Sequence, residues 1–338
     1  MTDAAPRLLI VAAFAAVYLI WGSTYLAIKV TLETLPPLAA GAARFLAAGA
    51  ALYAFARLRG HPAPAARHWP GMALVGGLLL LGGNGGLSWA QQHVPSGLAS
   101  VIIASIPLFV TLIEALRPGA DPRDRPGVTT FAGVAVGFGG IALLVTARHG
   151  APAEVPPGGA AVLLGAAFCW ALGSVGSRHV PLPPSILVSI AGQMLAGGAL
   201  LVVASGVAGE WPRVDLAGAS ARSLGALAYL VTFGSLVAYS AYVWLLRTVA
   251  PTRVATYAYV NPLVALVLGW GLAGEALSSR AVAAAGLTIA GVVVIVTARA
   301  ARPAPTGAAP PTAPDPLPDP LPDPLRLAPP APPGRRAA

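Results

Sequence analysis

Apolar segments of about 20 residues, separated by short polar stretches, follow one another along most of the chain. A helix of this length crosses the hydrocarbon core of a bilayer, which is about 30 Å thick. Repeated apolar runs of this length are typical of membrane-spanning helices, so the pattern predicts an all-α membrane protein with ten transmembrane helices. The segments lie at about 8–30, 38–57, 70–90, 95–116, 127–147, 158–178, 185–207, 222–246, 251–273 and 279–299.

Several motifs occur twice at a nearly constant separation. Trp21 and Trp170 lie 149 positions apart (170 − 21), and Lys29 and Arg178 have the same spacing. The sequence VTAR occurs at 145–148 and again at 296–299. Internal repeats in a polytopic membrane protein are typical of transporters whose binding site lies at the repeat interface.

Five apolar segments fall in each copy, and an odd number of crossings makes the second copy enter the membrane from the opposite side. The predicted fold class is therefore an all-α membrane protein with ten transmembrane helices in two inverted five-helix repeats. We expect one repeat at 1–149 and the other at 150–300. The remaining 301–338, rich in Pro and Ala, predicts a disordered tail that cannot bury a core.

The composition agrees with a membrane protein, since 56% of the residues are hydrophobic and 10% are charged. Soluble domains carry about 25% charged residues. A net charge of +9 can indicate nucleic-acid binding. Here the arginines fall between the apolar segments, where membrane topology explains them, so we expect no nucleic-acid partner.

Arginines also predict the orientation, because cytoplasmic loops are enriched in Lys and Arg. With the N-terminus inside, twelve arginines fall in inner loops and ends, against four in outer loops (Arg148, Arg213, Arg222 and Arg280). Both termini are then cytoplasmic. The N-terminal segment exceeds the apolar core of a signal peptide and contains Trp21 and Lys29, so we expect it to be retained as the first helix.

Arg44 is the strongest candidate for a functional charge. It lies seven residues after Pro37, about 10 Å into the bilayer if the helix starts there. Intramembrane charges are costly and usually face the bundle interior or a water-filled cavity. We expect Arg44 to bind an anionic group of a substrate, and an ion pair with Glu33 is the structural alternative. Its repeat counterpart, at 44 + 149, is the uncharged Gln193.

Other polar and aromatic side chains lie within the apolar segments. The sequence GGNGG around Asn84 indicates either close helix packing or a helix break that offers backbone groups to a ligand. Pro107 and Pro262 predict kinks, each freeing a carbonyl one turn earlier. Tyr257, Tyr259 and Asn261 gather near the second kink and suit a polar metabolite, although the kinks could serve only to shape the bundle.

Charged residues near the predicted helix ends have simpler interpretations. Lys29 and Arg178 favour snorkelling to the nearest interface, and Lys29 could also pair with Glu33. Glu114 is interpreted as one half of an end pair with Arg117. Glu275, near the end of the ninth segment, could carry a proton or be an ordinary interfacial acid.

Enzyme signatures are missing from the sequence. There is no HExxH, no GxSxG and no Asp-rich metal motif, and the five histidines fall in or beside loops. A single cysteine, Cys169, excludes an intrachain disulfide and leaves no zinc-site spacing. We expect no catalytic residues, no metal site and no cofactor. A membrane scaffold, or a membrane enzyme without a recognisable motif, is the alternative to a transporter.

Several motifs together resemble the EamA family of the drug/metabolite transporter superfamily. They are YLIWGSTYLAIK at 18–29, VPSGLASVIIASIPLF at 94–109 and, most specifically, YAYVNP at 257–262 followed by Gly274–Glu275. The resemblance covers about 8–300 and implies ten helices in inverted repeats with a central cavity. It also implies a carrier of the bacterial inner membrane, often an exporter of amino acids, related metabolites or toxic compounds.

We therefore predict a multi-pass secondary transporter that works by alternating access in the lipid bilayer. Its partner is a small-molecule substrate, and small-residue helix faces leave a homodimer open. The predicted cavity lies between the first, third, fourth, sixth, eighth and ninth helices. The candidate substrate-binding residues are Trp21, Tyr25, Arg44, Asn84, Trp89, Trp170, Tyr257, Tyr259 and Asn261.

Overall fold

The computed structural model describes residues 7–116, 127–146, 155–249, 254 and 257–300, except for a few side chains of which Tyr259 is one. Within these ranges the chain is helical and contains no β-strand. The helices are α1 (Arg7–Thr31), α2 (Pro37–Leu58), α3 (Ala66–Ala90), α4 (Ser96–Leu116), α5 (Val128–Val145), α6 (Pro157–Gly176), α7 (Ile186–Val207), α8 (Ala221–Leu246), α9 (Tyr257–Ala273) and α10 (Ser279–Ala300).

The helices are long and apolar. Seven described helices, α1 to α4 and α6 to α8, have the length and composition needed to cross a bilayer. Shorter apolar stretches lie in α5, α9 and α10, at Phe131–Val145, Val260–Ala273 and Ser279–Val294. The prediction of an all-α, multi-pass membrane protein is therefore confirmed.

Three helices contain a wider π-helical stretch. These stretches are Ala16–Ile20 in α1, Gly77–Gly85 in α3 and Leu230–Tyr239 in α8. Trp89 and Trp244 lie 155 positions apart (244 − 89). The same offset added to Gly77–Gly85 gives 232–240, which overlaps the stretch in α8. π-helical turns are rare in proteins overall, but those that occur are frequently found at functional sites. Their recurrence at matched positions therefore indicates that α3 and α8 contribute to a functional site.

Proline accompanies an interruption in one of the two helices where a kink was predicted and lies inside the other. Helix α4 is interrupted by a turn at Ala104 and Ser105, just before Pro107. A proline has no N–H to bond the carbonyl one turn earlier, so the interruption lies where the kink at Pro107 was expected. Pro262 lies inside α9.

Helices α2 and α7 pack against each other through reciprocal glycine contacts. A Cβ added to Gly49 would lie 3.1 Å from Leu195 Cγ, and one added to Gly198 would lie 2.9 Å from Leu46 Cγ. Adding the offset of 149 to Leu46 and Gly49 gives Leu195 and Gly198, so each copy makes the same contact with the other. Glycine allows this close approach of two helices in a membrane.

Helices α5 and α10 repeat the arrangement. A Cβ on Gly140 would lie 2.6 Å from Thr288 Oγ1 and 2.7 Å from the carbonyl oxygen of Ala284. One on Gly291 would lie 2.5 Å from both the carbonyl oxygen of Gly133 and the amide nitrogen of Gly137. Adding 151 to Gly133, Gly137 and Gly140 gives Ala284, Thr288 and Gly291, so each helix makes the same contacts with the other. In both helix pairs, later residues of one helix meet earlier residues of the other. The helices of each pair, α2 with α7 and α5 with α10, are therefore antiparallel.

Two Gly–Glu sequences end helices and cap the start of a neighbouring helix. Gly209 (φ 68°) and Gly274 (φ 65°) have the left-handed backbone conformation that glycine adopts without strain. The following Glu210 accepts hydrogen bonds from the backbone amides of Leu38 (3.3 Å) and Ala39 (2.8 Å) at the start of α2. The capping role of Glu210 was not predicted from the sequence.

Glu275 makes the same arrangement at the start of α4. It accepts hydrogen bonds from the backbone amides of Ser96 at 2.6 Å and Gly97 at 3.0 Å. These N–H groups have no partner within their own helix, and negative charge is favourable at a helix N-terminus. Both oxygens of the Glu275 carboxylate are therefore occupied by a structural cap.

Candidate functional site

A central cavity of about 600 Å³, including its opening, lies between α1, α2, α3, α4, α6, α8 and α9. The predicted list of lining helices omitted α2, although Arg44, which lies on α2, was among the candidate binding residues. The cavity is lined by Trp21, Thr24, Tyr25, Arg44, Phe45, Gly83, Asn84, Leu87, Ile103, Ile106, Ala166, Trp170, Gly234, Tyr239, Tyr257 and Asn261.

Most of the candidate residues reach this cavity. Trp21, Tyr25, Arg44, Asn84, Trp170, Tyr257 and Asn261 line it. Trp89 does not, because its side chain is 41% exposed and its ring packs edge-on against His93. The assignment of Trp89 to the cavity is therefore wrong. Tyr259 lies outside the described side chains.

The guanidinium of Arg44 is buried and holds the one full charge among the described lining residues. Its Nε donates to Ser235 Oγ at 2.9 Å, and its Cζ lies 4.7 Å from the ring centroid of Phe45. Glu33 pairs with Arg222 at 3.5 Å, so the alternative of an Arg44–Glu33 pair is wrong. No acidic side chain within the described residues lies at ion-pair distance from Arg44.

Four aromatic rings close one end of the cavity. The ring of Trp21 lies 5.6 Å from Trp170, 4.9 Å from Tyr242 and 5.5 Å from Tyr257, centroid to centroid. We call these four residues the aromatic layer. Neither Tyr239 nor Tyr242 was singled out from the sequence. They lie three positions apart and therefore share one face of α8.

The lining amides and the indole are held by backbone groups. Trp21 Nε1 donates to the carbonyl oxygen of Gly234 at 3.2 Å. The amide of Asn261, oriented to satisfy its neighbours, donates to the carbonyl oxygens of Tyr18 (3.1 Å) and Tyr257 (3.3 Å). Asn84 Nδ2 lies 3.5 Å from the carbonyl oxygen of Leu79. These contacts fix the orientation of polar groups around the cavity.

The GGNGG sequence in α3 packs against α6 without breaking the helix. A Cβ on Gly82 would lie 2.8 Å from Cys169 Cβ, and one on Gly83 would lie 2.9 Å from the ring of Trp170. Of the two interpretations, close packing is therefore confirmed and the alternative of a helix break is wrong. The π-helical turns still present Asn84 to the cavity.

A second cavity, the vestibule, lies beyond the aromatic layer. It has a volume of about 640 Å³ and is lined by Val75, Leu79, Ser174, Ser177, Arg178, Leu182, Gln193, Tyr242, Val243 and Leu246. Tyr239, which lines the central cavity, donates its hydroxyl hydrogen to Gln193 Oε1 at 2.8 Å. The hydrogen bond and the aromatic layer together separate the two cavities.

The end charges have different surroundings. Arg178 forms an ion pair with Glu114, with 3.9 Å between Nη1 and Oε1, and it also lines the vestibule. Lys29 donates to the carbonyl oxygen of Gln91 at 2.9 Å, which replaces its predicted pair with Glu33. Arg117, the predicted partner of Glu114, lies outside the described residues.

The described residues contain no group of three or more His, Cys, Asp or Glu side chains placed to hold a metal ion. The central cavity offers one buried cation, several hydroxyl and amide groups and a wall of aromatic rings. Such a set can bind and orient a small molecule that has both a charged group and an apolar body.

Comparisons with known proteins place these features in a family. A profile of the EamA-like transporter family matches residues 8–146 and 157–297. The uncharacterized inner membrane transporter YedA of Escherichia coli is 41% identical over 296 residues, which are 87% of this chain and 93% of YedA. A protein of Streptantibioticus cattleyicolor, named a probable terminal-alkyne amino-acid exporter, is 26% identical over 81% of this chain and 89% of its own length.

A solved crystal structure has the same fold, with a TM-score of 0.61 at 23% sequence identity. The match covers 88% of this chain and 100% of the other. The profile match extends over both copies of the internal repeat, and the relatives are similar over nearly their whole length. The chain belongs to the EamA-like transporter family.

Proposed function

We propose that the protein is a secondary transporter of the bacterial inner membrane that exports small metabolites by alternating access. Amino acids and related or toxic compounds are the candidate substrates. The observation that carries the proposal is the central cavity, where a buried arginine without an acidic partner among the described residues faces aromatic and amide groups. A polar solute that crosses the hydrocarbon needs such groups in place of water.

The proposal includes ten transmembrane helices in two inverted repeats, at 1–149 and 150–300. The reciprocal contacts of Gly49 and Gly198, and of Gly140 and Gly291, support a two-fold relation between the copies. Repeat-related helices run antiparallel in both pairs, as inversion across the membrane plane requires. We place both termini in the cytoplasm and propose that 301–338 is a disordered tail.

The aromatic layer is proposed to act as the barrier between the cavity and the vestibule. Tyr257 lines the central cavity, and Tyr242 lines the vestibule on the other side of the same layer. Trp21 comes from the first repeat and the other three rings come from the second, so a movement of one repeat against the other would separate Trp21 from them. Such a movement would give a bound solute access to the opposite side of the membrane.

The proposal is tested by metabolite profiling of medium from cells that overproduce the wild type, Arg44→Ala or Arg213→Ala. Arg213 is exposed and outside the cavity, so Arg213→Ala is the matched loss of one positive charge. We expect a solute enriched outside cells with the wild type and Arg213→Ala but not with Arg44→Ala, at equal membrane levels. If no solute differs across amino acids, nucleosides and added toxic compounds, export is contradicted, and a non-transport membrane protein becomes the better explanation.

A further inference from the structure

We infer that the central cavity selects organic molecules with one net negative charge over zwitterions, neutral amides and cations. The inference rests on the proposed transport function and narrows its substrate class. It begins from the charge of the wall: among the described lining residues Arg44 is charged and none is Asp, Glu, Lys or His. A molecule with a single negative charge leaves the occupied cavity neutral, whereas a zwitterion leaves it at +1.

The hydrogen bonds of Arg44 favour a carboxylate. A guanidinium has five N–H donors in a planar fork. Within the described residues Arg44 uses Nε for Ser235, and Nη2 lies beside Gly234, where a Cβ would come within 2.9 Å of it. Glycine at 234 therefore lets the guanidinium lie close to the backbone of α8. A carboxylate or a similar oxyanion can accept two parallel hydrogen bonds from such a fork.

A substrate ammonium group finds no acidic partner among the described residues that line the cavity. Aromatic faces can hold cations, but the faces in the aromatic layer are turned toward neighbouring rings. Trp21 meets Trp170 at an interplanar angle of 85° and Tyr257 at 82°, so the edge of one ring covers the face of another. An ammonium would lie near Arg44 without an acidic side chain to compensate either charge.

The remaining wall suits an apolar, flat body attached to the anionic group. Phe45, Leu87, Ile103 and Ile106 line the cavity together with the indole of Trp21. Burying such a body removes apolar surface from water, which contributes about 25 cal/mol per Å². The preferred ligand is therefore a carboxylate with a short aromatic or aliphatic body.

The test uses compounds that share a body and differ in charge. Phenylacetate, phenylacetamide, phenethylamine and phenylalanine form one set, and hexanoate, hexanamide, hexylamine and norleucine form the other. Each compound is added at millimolar concentration to the detergent-purified full chain, and thermal unfolding is followed. A ligand that binds the folded state alone raises the unfolding temperature with concentration.

We expect the carboxylate of each set to bind about 10- to 100-fold more tightly than its amide, amine and amino acid. This is the affinity ratio that corresponds to the free energy of one charge-assisted hydrogen bond. Arg44→Gln should bind the carboxylate no more tightly than the amide, while Arg222→Gln keeps the difference. The wild-type ranking decides the question even if Arg44→Gln does not fold. Tighter or equal binding of an amine or amino acid, or no stabilisation by either carboxylate, overturns the inference.

Failure of this inference differs from failure of transport. If profiling finds an exported zwitterion, transport stands and the preference for anions is wrong. If the carboxylates bind in the expected order but no solute is exported, the preference stands and the proposed transport is wrong.

Discussion

Arg44 is 6% exposed, and its guanidinium lies against α8 through Ser235. Its position along α2 was predictable from its spacing after Pro37. Its partners were not, because they depend on how α2 and α8 are rotated toward each other. Sequence spacing gives the height of a side chain along a helix but leaves the neighbouring helix undetermined.

Arg44→Lys is expected to reduce transport by about 10-fold or more, the cost of losing one charge-assisted hydrogen bond. Lysine keeps the charge but is a point charge that cannot replace a planar fork. The measurement is efflux of the solute found by profiling, at matched membrane levels. Normal flux in Arg44→Lys would show that the guanidinium does not contact the substrate.

A second prediction concerns the accessibility of the aromatic wall. Tyr257 lines the cavity, whereas Leu263, on the same helix, is 53% exposed on the outside of the bundle, where lipid would cover it. In a Cys169→Ser background, a water-soluble maleimide should label Tyr257→Cys and leave Leu263→Cys unmodified. No labelling at Tyr257→Cys would mean that water does not reach the cavity.

At the scale of helices, close packing of α5 on α10 depends on glycines that face the partner. Gly139 and Gly140 are adjacent, yet a Cβ on Gly139 meets nothing within 4 Å and one on Gly140 meets Thr288 Oγ1 at 2.6 Å. Gly140→Ala should lower the free energy of unfolding by about 1–3 kcal/mol through overpacking. Gly139→Ala should be neutral or slightly stabilising, since alanine favours helix by about 1 kcal/mol.

The comparison is made by thermal unfolding of both purified variants in one detergent. Equal effects of the two substitutions would contradict the described α5–α10 contact. The adjacent positions share the same local sequence, so a difference between them reports the helix contact.

The carboxylate caps lead to a prediction of the same kind. Glu275→Ala leaves the amides of Ser96 and Gly97 without their acceptor and should cost about 1–3 kcal/mol of stability. Glu33→Ala removes a pair in which both side chains are more than two-fifths exposed, and such pairs contribute about 0–1 kcal/mol. Chemical or thermal unfolding distinguishes the variants, and an equal loss in both would show that Glu275 is not a structural cap.

At the scale of the whole molecule, hydrophobic pattern and internal repeats were enough to predict an all-helical membrane protein. Seven candidate residues also line one cavity, because aromatic and polar side chains inside apolar segments tend to face the bundle interior. Their role in substrate binding stays a prediction. Phe45, Tyr239 and Tyr242 were not predicted, because their positions in the sequence do not show which face of each helix meets the cavity.

One error has a clear physical cause. Trp89 was assigned to the cavity because sequence composition does not report how a helix is rotated about its axis. A π-helical stretch changes that rotation over a few residues, and α3 contains one at Gly77–Gly85, directly before Trp89. The direction of side chains beyond such a stretch cannot be read from a regular helical period.

The turn at Gly209–Glu210 has an equivalent in the first copy that lacks the glutamate. Gly60, with φ 80°, is the repeat equivalent of Gly209 (60 + 149), but histidine follows it where Glu210 follows Gly209. Arg57 and Arg59 lie beside this turn, which we place in the cytoplasm. In the proposed inverted pair, equivalent turns lie on opposite sides of the membrane, and identical loop charges would favour the same side for both turns. Divergence of the charges at equivalent turns therefore favours the inverted arrangement that five crossings per copy produce.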